Sequence, residues 1–105
     1  MKVHFGLVVT VLLLAGCSPQ DMADTVGRRA AATVVLPVMQ RDMTGAQAQR
    51  ATDCVIRHAT AAEVQALSRD VAVVAGTLTE ANIRAIAVRP ETQACFAASA
   101  VMWRG

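Results

Sequence analysis

Thr60-Ala61-Ala62-Glu63-Val64-Gln65-Ala66-Leu67 decides the fold. A hydroxyl followed three residues later by a carboxylate can satisfy two orphan amides at a helix start, one in each direction. Thr44-Gly45-Ala46-Gln47 repeats the pattern with an amide at its last position, and Thr79-Glu80-Ala81-Asn82 offers an N-cap hydroxyl with an early acid. The three signals predict helices over about 45–58, 61–75 and 80–88. Gly76 falls where a C-terminal cap of the second of these belongs. Pro90 ends the third and suits the first turn of another helix, over about 90–103.

The apolar spacing agrees. Val64, Leu67, Val71 and Val74 step by three and four residues, which puts them on one helical face. Ile83, Ile86 and Ala87 do the same. Cys95, Ala98 and Met102 share a face beside Ala94 and Val101, and Cys54 groups with Ala51, Val55 and His58. Upstream, a further helix is expected to begin near Asp21, with Asp21 and Asp24 at its positive end, and to stop or kink near Leu36 because Pro37 follows. Thr33-Val34-Val35-Leu36 also reads as a strand, but nothing else in the chain offers it a partner. The expected fold is all-α, a small bundle of four or five short helices.

The chain opens differently. Lys2 and His4 precede an apolar run from Phe5 to Leu14, and Leu14-Ala15-Gly16-Cys17 closes it. The run is too short for the roughly 20 residues of a membrane span. Its order resembles a secretory signal, and its last four residues match the lipobox of bacterial lipoproteins. That resemblance implies a signal peptide over 1–16, cleaved before Cys17. It also implies a diacylglyceryl thioether on Cys17, a third acyl chain on its amine, and a tether over 17–20. A domain over 21–105 follows. Ser18, where aspartate would favour inner-membrane retention, resembles an outer-membrane sorting signal. The implied place is periplasm-facing, held to the membrane by lipid. An uncleaved anchor and an unlipidated secreted form are the alternatives.

An even pair of cysteines then remains, Cys54 and Cys95. In an exported protein such a pair reads as a disulfide; two free buried thiols are the alternative. The bridge would clamp the second helix to the fifth. The mature part is also similar to small helical envelope lipoproteins that carry two cysteines. The likeness lies in Asp53-Cys54-Val55-Ile56 through Glu63, and in Arg89-Pro90-Glu91-Thr92-Gln93-Ala94-Cys95. It implies no activity.

Chemistry is sparse. Past residue 16 there are nine arginines against eight acids, with no lysine and no tyrosine. That balance supplies no basic stripe for nucleic acid and no polybasic block. His58 is the only histidine left, and it falls at a predicted helix C-terminus, where its charge is favoured. A metal site needs several convergent ligands. Ser68 and Ser99 lack the glycine-rich elbow of a serine nucleophile. No catalytic residue, metal or cofactor is therefore expected. Asp53 and Arg57, four apart, suggest a surface ion pair. Arg28, Arg29 and Arg41 lie close enough to the tether to face lipid phosphates, or else form a solvated face.

One stretch suggests contact. Ala30 to Met39 is almost unbroken apolar sequence, flanked by Met22 and Met43. A helix apolar all round is buried in its own core or covers a partner. Val34, Val35, Leu36, Val38 and Met39 are thus candidate interaction residues. Trp103 is another, able to dock on the core or to sit at a membrane interface. Two functions follow. One is a non-enzymatic, lipid-anchored envelope protein that acts through protein contacts, with an envelope protein as partner. The other is a small periplasmic carrier or chaperone that holds an apolar ligand or client in its helical core.

Overall fold

The computed structural model describes residues 19–71 and 75–103. The signal segment 1–16, Cys17, Ser18, Val74 and Arg104 lie outside the described residues. Five α-helices form the fold: α1 (Pro19–Met39), α2 (Gly45–His58), α3 (Ala61–Ser68), α4 (Thr77–Ala87) and α5 (Pro90–Ala98). Among the described residues there is no strand. The all-α expectation holds, and Thr33 to Leu36 are helical.

α1 is the spine, packed most extensively against α2 and α3. It begins at Pro19 rather than Asp21, so the last two tether residues belong to the helix. Proline suits a first turn because its missing N–H would be unpaired there in any case. α1 also passes through Pro37 and ends at Met39. Pro37 faces solvent near the helix end, and the ladder resumes with Gln40 N–H donating to the Leu36 carbonyl at 2.9 Å. The helix is not apolar in its contacts all round. Ala31, Val34, Val35 and Met39 are buried, while Thr33 and Pro37 are exposed.

The core is built from those four residues with Ala48, Ala51, Cys54 and Val55 of α2, Val64 and Leu67 of α3, Ile83 and Ile86 of α4, and Phe96 of α5. Cys54 and Cys95 form a disulfide, with Cα atoms 5.7 Å apart and a sequence separation of 41. It ties α2 to α5 and encloses α3 and α4 in the closed loop. Thr92 is wholly buried, and its hydroxyl has no partner among the described residues.

Three further helix ends depart from the sequence reading, two at the Asp70–Thr79 contact and one at a local turn. α3 stops at Ser68 rather than near 75. Asp70, just beyond it, accepts a 2.6 Å hydrogen bond from Thr79, and Val71 is exposed rather than part of an apolar face. Thr79 is therefore a buried residue inside α4, and Gly76 holds the N-cap position of α4 instead of ending α3.

α5 ends at Ala98 rather than near 103. Val101 N–H donates to the Phe96 carbonyl at 2.8 Å and Ala100 N–H to the Ala97 carbonyl at 3.3 Å. That pair is the Schellman pattern, and Val101 and Phe96 supply the buried apolar contact that accompanies it. The left-handed position belongs to Ala100, at φ 54°. An L-residue there costs about 1–2 kcal/mol relative to a right-handed conformation. Ala100→Gly is therefore expected to stabilise the fold by about 1 kcal/mol, after the extra freedom of glycine in the unfolded chain is offset. Urea denaturation of the two proteins checks this; an unchanged or lower midpoint would contradict it.

Candidate functional site

Two constellations bring polar side chains together. The first is a node at the junction of α2, α3 and α5. Thr60 forms the full capping box, with its hydroxyl accepting from Glu63 N–H at 3.2 Å and its own N–H donating to Glu63 Oε1 at 2.8 Å. Glu63 also takes a two-pronged bond from Arg89, at 2.8 and 2.5 Å. Arg89 reaches on to the His58 carbonyl at 3.0 Å. His58 is the last residue of α2, and here it contributes its backbone. The node thus joins the end of α2, the start of α3 and the residue before α5.

Arg89 holds the Glu63 carboxyl below its ordinary range; partial burial opposes this, and the two Thr60 bonds add to the lowering. Glu63 in turn raises the already high Arg89 value. A lowered folded-state pKa means that the carboxylate form favours folding. The node contributes fully above the unfolded carboxylate pKa, and its contribution is lost as pH falls through the lowered folded value. Glu63→Gln is expected to reduce stability at pH 7 and to flatten the acid limb of a stability-versus-pH curve. A variant that keeps the full wild-type acid limb would contradict this.

The Thr44 box does not form. Thr44 holds the N-cap position of α2 without a side-chain cap bond. Gln47 instead donates to the Ala100 carbonyl at 3.3 Å, and Arg50 to the Ser99 carbonyl at 2.8 Å. α2 thereby satisfies carbonyls left open at the end of α5.

The second constellation is an open groove of about 490 Å³ between α1 and α2, lined by Thr25, Arg28, Arg29, Ala32, Asp53, Ile56 and Arg57. Arg28 is engaged on both sides, with Asp24 at 3.0 Å and with the Ile56 carbonyl at 2.7 Å. Asp53 and Arg57 do not pair, contrary to the expectation from their spacing; the ion pairs of the described residues are Arg28–Asp24, Arg41–Glu80 and Arg89–Glu63. Arg29 and Arg57 are exposed and have no ion pair among the described residues. The groove carries three guanidinium groups against the one carboxylate of Asp53.

No family model, curated protein or solved structure matches the chain.

The candidate interaction residues of α1 fall elsewhere. Val34, Val35 and Met39 are buried in the core of the chain itself, and Leu36 and Val38 are half-buried against it. Trp103 docks too, its ring edge-on to Phe96 with centroids 6.3 Å apart. Leu36, Val38 and Trp103 keep part of their surface open, lining shallow clefts beside α1. Arg41 is held by Glu80. Exposed large apolar side chains lie at Met22, Val26, Val71, Leu78, Val88 and Met102. Among the described residues no group of three or more His, Cys, Asp or Glu could hold a metal ion, and no helix is long and apolar enough to cross a membrane.

Proposed function

We propose that the chain is a lipid-anchored envelope protein, held to the membrane through acylated Cys17, facing the periplasm, and acting through surface contacts rather than catalysis. The observation that carries this is Leu14-Ala15-Gly16-Cys17 after a basic start and an apolar run. The Cys54–Cys95 pairing suits an oxidising compartment. Ser18 favours the outer membrane. The contact reading is preferred to a carrier because α1 spends its apolar stretch on its own core. The groove between α1 and α2 is open to solvent and carries three arginines, unlike an enclosed apolar chamber.

The test is metabolic labelling with an alkyne analogue of palmitate. Wild-type protein is expected to take the label and to migrate as the processed form. Cys17→Ser is expected to lose the label wholly and to accumulate as a precursor about 16 residues longer. Equal labelling of the two proteins, or processing unaffected by the substitution, would contradict the reading.

A further inference from the structure

The exposed start of α1 presents a mixed surface. Met22 is 65% exposed and Val26 66%, and their four-residue spacing puts them on one stripe of the helix. Arg29 continues that stripe one turn on, and Arg57 of α2 stands beside it across the groove. Exposed apolar residues are ordinary on a protein surface when scattered singly. Here two of them adjoin two arginines that have no acid partner among the described residues.

Chain geometry fixes what lies nearby. Cys17 precedes Pro19 by two residues, and Met22 is three residues into α1. Two extended steps and three helical rises place Met22 at most about 12 Å from Cys17. A cysteine carrying acyl chains sits at the bilayer surface, so α1 starts against the lipid headgroups.

We propose that Met22 and Val26, with Arg29 and Arg57 beside them, form a face that rests on the anionic phospholipid surface holding the anchor. This rests on the lipid-anchor reading. The apolar pair enters the headgroup boundary, and the guanidinium groups meet lipid phosphates. Asp21 and Asp24 are turned about 100° and 160° round the helix from Met22, and Asp24 is engaged with Arg28. Asp53 lies in the groove beside Arg57 and limits the local excess of positive charge without cancelling it.

Methionine oxidation reads this face directly, because Met102 is an internal reference. It is 75% exposed, and its neighbour Trp103 shares a cleft with Val38 and Arg41, at the far end of α1. The acylated protein is reconstituted into vesicles of phosphatidylcholine alone, or of phosphatidylethanolamine and phosphatidylglycerol at about three to one, the proportions being chosen to give a moderately anionic surface. Peroxide oxidation of both methionines is followed by peptide mass spectrometry, after the intact mass has shown acylation. On the anionic vesicles Met22 is expected to oxidise about five-fold more slowly or better, since each arginine at such a surface biases contact about five-fold. Met102 is expected to oxidise equally on both. Arg29→Glu/Arg57→Glu, which alters exposed positions and is expected to melt like the wild type, should return Met22 to its rate on phosphatidylcholine. Equal Met22 rates on the two vesicles would overturn the proposal, as would protection that survives the double charge reversal, which is the result expected of a second copy seated there. Acylated protein with an open Met22 removes this face and leaves the anchor reading standing. An intact mass without acyl chains removes both.

Discussion

Cys54→Ala/Cys95→Ala is expected to lose about 4 kcal/mol of stability in urea denaturation, with a fall in Tm on the order of 20 °C. The bridge closes a loop spanning 41 residues between α2 and α5. Opening it returns that loop's freedom to the unfolded chain, a term that grows with the logarithm of loop length. The folded state loses little else, because alanine keeps the apolar surroundings of Cys54, which is 1% exposed. A domain this small has only a modest core, and typical stabilities are about 5–15 kcal/mol. The variant therefore stands close to unfolding at growth temperature. A loss under about 1 kcal/mol would mean that helix packing, rather than the clamp, holds α5 in place.

Val35→Asp is expected to prevent folding at neutral pH. Val35 is 0% exposed, on the face of α1 that meets α2 and α3. A carboxylate there loses its hydration with no designated partner, at a cost of several kcal/mol. Val26→Asp is the matched control. It adds the same charge to the same helix at a position 66% exposed, and its effect on stability is expected to stay within about 0.5 kcal/mol. It should nevertheless weaken the contact of α1 with anionic vesicles. Circular dichroism with thermal melting of both variants checks the contrast. A folded Val35→Asp protein, with helix content and Tm near wild type, would contradict the core assignment of α1.

The sequence exposed those features whose causes are local. The Thr60–Glu63 box forms because both of its bonds close within four residues. The bounds of α2 were legible because Thr44 takes the N-cap position, although its box does not close and Gln47 turns away toward Ala100, 53 residues later. A contact between helices and an unsignalled local turn set what was missed. α3 ends early where Asp70 meets Thr79. α5 ends early because an alanine, not the glycine that would have signalled it, takes the left-handed position. Pro37 marked a helix end but lies on the solvent face, where the chain tolerates it. For the candidate surface, Arg28 and Arg29 were visible as neighbours of the tether. Arg57 was not, since it joins them only when α2 packs on α1, and its spacing from Asp53 suggested a pair that the fold does not make. Of the candidates on α1, Val34, Val35 and Met39 went to the core for a physical reason. A run that is apolar in composition is sorted by helical geometry into a buried side and an exposed side, and composition alone does not say which residues lie on each.

Whether Cys17 carries the anchor is decided by the mass of the N-terminal peptide of protein purified from its native membrane. A peptide that begins at Cys17 is expected, with the 16 residues before it absent and with the mass of a diacylglyceryl group, and of a third acyl chain, added to it. A mature start at any other residue, or a Cys17 peptide of unmodified mass, would contradict it.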